Sequence, residues 1–181
     1  MYKIANGGVI RKADGALIPS SEGNRDWREY QEWLAAGNTP DPAQSADETK
    51  AAKWDDIKAV RNRRKAGGFK VKVGSSNKWF HSDADSRIQH LGLKDKARDL
   101  IAGGGQMTDK LTILGHTVKW KTLDGSFVDV SAQVAFDIVS AAGDLDAQLF
   151  AAAETHKAAM EASADPASYD FSAGWPPVYG D

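Results

Sequence analysis

With 181 residues, 41% of them hydrophobic and 27% charged, the chain has room for one domain, or one domain with an appendage, and the composition of an ordinary soluble globular protein. No apolar run approaches the ~18 residues of a bilayer span, and the opening MYKIANGGVIRK lacks the basic start and long apolar stretch of a secretory signal, so synthesis in and release from the cytoplasm are expected. The lack of cysteine excludes disulfides, thiolate chemistry and cysteine-based zinc sites. The net charge of −2 hides an uneven distribution: Met1–Ala52 carries −2, Lys53–Lys78 +7, Trp79–Val130 0 and Ser131–Asp181 −7. A basic and an acidic segment in one chain complement each other, within the fold or between copies, or are two solvated faces.

In chain order, Val9-Ile10 and Ala16-Leu17-Ile18 flank Asp14-Gly15, a tight-turn pair that predicts a small β-hairpin. Asn24 is placed to cap a short helix ending at Gly37, with Trp27, Tyr30, Trp33 and Leu34 on one face. A helix this short is marginal alone, so its aromatic stripe is expected to pack in a core or at an interface; a peptide-binding face is the alternative. The prolines of Asn38–Ala46 mark a linker and a domain boundary, dividing the chain into an N-terminal hairpin-helix module over 1–42 and a core over 43–181.

Ser45 and Glu48 form a capping box that starts a second helix running to about Lys65. Ala51, Trp54, Ile57 and Val60 make its apolar stripe, and its C-terminal cations suit the helix dipole. Phe69, Val71 and Val73 alternate with Lys70 and Lys72 as a half-buried strand, with Trp79-Phe80-His81 as its hairpin partner. Ser82 or Asp83 then caps a third helix ended by Gly103-Gly104-Gly105. Leu111–Leu114, Val118–Thr122 and Phe127–Val130, the last two joined by Asp124-Gly125, complete a small antiparallel sheet. A long final helix runs from Ser131 to about Ser163. Its stripe passes from Val134 through Leu145 and Leu149 to Met160, broken by one weak point, Gly143. The tail beyond Ala164 is expected to dock by Tyr169, Phe171, Trp175 and Tyr179. The fold class is α+β: a small antiparallel sheet with flanking helices, one long C-terminal helix and the N-terminal module.

Few groupings in the sequence suggest chemistry. His81, Asp83 and Asp85 resemble the start of a metal or acid-base site, but helix capping accounts for both carboxylates. The glycine clusters lack the Lys-Ser/Thr of a phosphate loop. The basic segment Lys53–Lys78 with Phe69, Trp79 and Phe80 suits a single-stranded nucleic acid, whereas the whole-chain pI near 6.1 is far from that of a dedicated binder. The expectation is a non-enzyme with no catalytic residue, no metal and no cofactor.

The stretches Ile10–Pro19 (IRKADGALIP) and Asn24–Pro40 (NRDWREYQEWLAAGNTP) resemble a short module of tailed-bacteriophage tail-fibre and tail-fibre-assembly proteins. Arg61–Phe69 (RNRRKAGGF), Trp79–Arg87 (WFHSDADSR), Trp120–Gly125 (WKTLDG) and Gly174–Pro176 (GWP) resemble a domain of unknown function that recurs in such proteins. The resemblance implies a virion tail subunit acting by protein-protein contacts, or a transient chaperone of fibre assembly that passes through the host cytoplasm. It supplies no catalytic residues. A nucleic-acid-binding or hydrolytic accessory protein is the remaining alternative. Trp79, Asp83, Ser86 and Arg87 read as a fold-defining corner, with Arg87 able to pair with a carboxylate. Trp27, Tyr30, Trp33, Leu145, Leu149 and Trp175 are the expected partner-binding residues, toward tail proteins or a second copy, with no membrane partner.

Overall fold

A computed structural model describes residues 1–181, which divide into two compact units, Met1–Ala52 and Lys53–Asp181. The first holds a three-stranded antiparallel meander, β1 (Tyr2–Ala5), β2 (Gly8–Arg11) and β3 (Ala16–Pro19), and the helix α1 (Arg25–Ala35). The expected hairpin is β2–β3. The strand β1 extends it through the turn Asn6-Gly7, where Gly7 takes a φ of 79°. Asn24 caps α1 by accepting from the backbone N–H groups of Asp26 and Trp27.

The sequence places the boundary after residue 42, whereas the compact units part after Ala52. The reason is that the proline segment is not free. Asp41 donates its N–H to the Tyr2 carbonyl and accepts from the Ile4 N–H, both at 2.8 Å, in a parallel bridge to β1. The capping box forms as expected, with the Ser45 N–H donating to Glu48 Oε2 at 2.7 Å and the Glu48 N–H to Ser45 Oγ at 3.1 Å. It opens α2 (Ala46–Ala66), and the division falls inside this helix.

The second unit continues with β4 (Phe69–Val73), β5 (Ser76–Phe80), α3 (Ala84–Ala102), β6 (Thr112–Ile113), β7 (His116–Thr117), β8 (Lys119–Lys121), β9 (Phe127–Asp129) and α4 (Ala132–Ala162). Its strands form three separate two-stranded ribbons, β4–β5, β6–β7 and β8–β9, not one sheet. The α+β class stands: four helices, small antiparallel sheets and a long C-terminal helix.

The main core gathers Phe69, Val71 and Phe80 from the first ribbon, Leu93 and Ala97 from α3, and Val134, Ile138, Leu145 and Leu149 from α4. Gly68, at the entry to β4, has a φ of 96°, and a Cβ there would collide with Leu123 and the Phe80 carbonyl, so only glycine lets the chain turn this close to the ribbon. Farther along α4, Ala153 and Met160 pack on Ile57 of α2 under the half-buried Trp54, Tyr169, Phe171 and Trp175. The tail therefore docks by its aromatics. Its end is also fixed by polar contacts: Arg64 Nη1 donates to Asp181 Oδ2 at 2.8 Å and to the Pro176 carbonyl at 3.2 Å, and the Tyr179 N–H donates to the Gly67 carbonyl at 3.2 Å.

Candidate functional site

The start of α3 is the most densely connected polar point of the second unit. Asp83 caps the helix, accepting the Ser86 N–H at 2.9 Å on Oδ1 and the Ser86 hydroxyl at 2.6 Å on Oδ2, contacts that lower its pKa. Arg87, one turn on, donates from Nε and Nη2 to Ser82. It also forms a bidentate pair with Asp146 of α4, Nη1 to Oδ2 at 2.8 Å and Nη2 to Oδ1 at 2.9 Å. Lys65 of α2 donates to the same Oδ2 at 2.9 Å. Burial pushes the Asp146 carboxyl up, but the hydrogen bonds from Arg87 and Lys65 outweigh it and the net shift is downward. One carboxylate thus joins α2, α3 and α4, and this carboxylate, Asp146, is one that sequence reasoning missed.

A family model described as a domain of unknown function (DUF4376) matches residues 48–173, more than half of the chain, and this span contains Ser82, Asp83, Ser86, Arg87 and Asp146. The chain belongs to the DUF4376 family. No curated protein and no solved structure matches it.

Within this DUF4376 chain the expected corner is only partly one place. Asp83, Ser86 and Arg87 are joined as described, whereas the ring of Trp79 meets Lys70 Nζ at 4.9 Å and the edge of Tyr179 at 5.9 Å. The expected partner-binding residues are largely consumed inside the chain. Tyr30 is buried, and with Trp27 and Trp33 it closes on Tyr2, Val9 and Ile18, so the aromatic stripe of α1 is the core of the first unit. Leu145 and Leu149 are 6% and 1% exposed. They are core residues and not contact residues, because β4, α3, α2 and the tail together cover α4 along its length. Trp175 is half-buried, its Nε1–H donates to the Phe171 carbonyl at 2.7 Å, and its ring lies 4.9 Å from that of His156.

The basic segment meets the acidic one inside the fold at two points, Arg64 with Asp181 and Lys65 with Asp146, which accounts for part of the +7 and −7. Other cations of the segment lie over aromatic rings, Lys53 on Phe171 and Lys58 on Trp54. No group of three or more His, Asp or Glu side chains is placed to hold a metal ion, and no helix is long and apolar enough to cross a membrane.

Besides a cleft of about 450 Å³ against α2 at Arg61, Lys65, Asp146 and Phe150, two further surface clefts adjoin α4. One of about 280 Å³ lies between α4 and the β4–β5 ribbon, lined by Lys70, Trp79, Asp144 and Gln148 over Phe69 and Leu145. The other, about 200 Å³ and mainly apolar, lies between α3 and α4 at Leu91, Val139, Ala142 and Gly143. His90 lines this second cleft. It is 2% exposed, sits 4.4 Å from the Trp120 ring and edge-on to Phe69 and Phe80, and neither ring nitrogen has a hydrogen-bond partner.

Proposed function

We propose that the protein is a small tail-fibre-associated subunit of a bacteriophage virion that works by protein-protein contact. One observation carries the reading. The segments that resemble the tail-fibre module, Ile10–Pro19 and Asn24–Pro40, precede residues 48–173 of the DUF4376 match and fold into a compact unit with a core of its own. A separately packed module is a means of attachment that leaves the larger unit free to make other contacts. Mass spectrometry of purified virions is expected to find the chain, and co-expression with the adjacent fibre protein is expected to pull it down. A complex with fibre C-termini but no virion copy would make it a transient assembly chaperone; neither complex nor virion copy would end the phage-tail reading.

The fragment lacking Met1–Pro42 is expected to remain folded but to lose fibre association. Every buried residue of the two clusters in the second unit, and every side chain packed on them, comes from Trp54 onward. A cooperative thermal transition followed by circular dichroism at 222 nm is the expected result, and a fragment with no helical signal would show that the first unit is required for folding.

A further inference from the structure

The β6–β7 ribbon turns through Leu114-Gly115, with φ of 52° and 80°. Two positive values in succession are what a two-residue hairpin of this hand requires, and the first position ordinarily holds Asn, Asp or Gly. A leucine held there is strained, and Leu114 is also 94% exposed, with Ile113 beside it half in solvent. Nothing within a single copy explains a strained, solvated leucine at a hairpin tip.

Gly143 is a second such feature. It lies inside the 31-residue helix α4, where glycine is less favourable than alanine, yet a Cβ there would meet nothing within 4 Å. Close packing within the chain therefore does not require a glycine. Its missing side chain instead opens the apolar cleft of about 200 Å³ against Leu91, Val139 and Ala142. Leu91 and Ile88 stand exposed on the same helix α3 at 53% and 68%.

We infer that the chain self-associates by seating Leu114 of one copy in the α3–α4 cleft at Gly143 of a second copy. A branched apolar knob meets an apolar hole, and the exposed leucines and isoleucines on both sides are covered at once. Charge favours a second copy as the occupant. Lys110–Lys121, the segment carrying the knob, has no carboxylate, and of its three lysines Lys110 and Lys119 pair with Asp129 of β9 while Lys121 is left over; α4 has five carboxylates and the single cation Lys157. Lys121 and Asp144, the residue next to Gly143, have no ion-pair partner within their own chain, and opposite charges on the two surfaces steer the encounter and set its orientation. Arg87, the one lysine or arginine lining the cleft, is held by Asp146.

The test uses the full chain in sedimentation velocity over a concentration series, with Leu114→Asn and Gly143→Leu. Asparagine suits the left-handed turn position and leucine is a better helix former than glycine, so both variants are expected to melt at or above the wild-type temperature when dilute. Loss of association then cannot be ascribed to misfolding. The wild type is expected to form species heavier than a monomer, and each variant to weaken that association by about tenfold or more, which corresponds to ~1.4 kcal/mol. Because the chain has no cysteine, an equimolar mixture of Leu114→Cys and Gly143→Cys chains is expected to give a disulfide-linked pair on oxidation. A wild type that stays monomeric throughout, or variants that associate as it does, would overturn the inference. So would Leu114-dependent binding of a monomer to vesicles of anionic phospholipid, which would assign the tip to a lipid surface.

Discussion

Replacing Phe80 with alanine is expected to cost about 3–5 kcal/mol, the range for emptying a large aromatic site in a core. Phe80 is fully buried, its ring lies 6.3 Å from Phe69 in a stacked pair, and His90 stands edge-on to it at 6.2 Å. The surroundings are poorly able to collapse into the space. The backbone on one side is fixed by the Gly68 turn, and Leu123 beyond it is tied by its N–H to the Trp79 carbonyl at 2.9 Å. A loss of that size is a large share of the 5–15 kcal/mol that stabilises a typical domain. Urea unfolding checks it: the midpoint should fall with the slope unchanged, and a loss below about 1 kcal/mol would mean that the ribbon repacks freely around the gap.

The periodicity of α4 shows in the sequence from Val134 to Met160, and the structure buries that stripe almost throughout. What covers it is not visible there. The length of the stripe points to Leu145 and Leu149 as contact residues, but α2 lies along the far half of the helix and the tail folds back over it, bringing Ile57, Tyr169 and Phe171 to the cluster of Ala153 and Met160. Periodicity identifies the apolar face of a helix and is silent on which distant segment meets it. The same limit applies to α1, whose aromatic face meets a strand, β1, that the expected hairpin did not include. The Asn6-Gly7 pair, a recognised hairpin turn, was the available signal for β1.

The polar centre was legible in part for a similar reason. Capping is local, so Asp83 with Ser86, and Ser45 with Glu48, can be read from spacings of three residues. The partner of Arg87 is 59 residues away on another helix, and nothing in the sequence around Asp146 distinguishes it from the other carboxylates of α4. Leu114-Gly115 lacks the usual turn chemistry and falls inside a stretch that reads as strand, so only the backbone angle exposes it. His90 has no sequence signal at all, since its character comes from the three aromatic rings that close around it.

That burial gives the stability of the chain a specific dependence on pH. Burial first, and then the nearby Arg87 guanidinium and His81, depress the His90 pKa to about 4 from an ordinary 6.5, against a smaller upward pull from Asp83. Between these values the unfolded chain binds a proton that the folded chain does not, so stability rises with pH across the interval. The contribution is complete above about pH 6.5 and is lost progressively as the pH falls towards 4, amounting to about 3 kcal/mol at 1.36 kcal/mol per pH unit. The carboxylates with depressed pKa values, Asp146 and Asp83 among them, shift downward from 3.8 and so act at still lower pH, which leaves the His90 interval separate. Urea midpoints measured at pH 4.5 and pH 7 should therefore differ markedly for the wild type. In His90→Leu, which keeps an apolar filling and removes both unpartnered nitrogens, the difference should shrink to that of the surface groups. An equal dependence in the two proteins would show that His90 is protonated in the folded state, with its nitrogens reached by water or a partner.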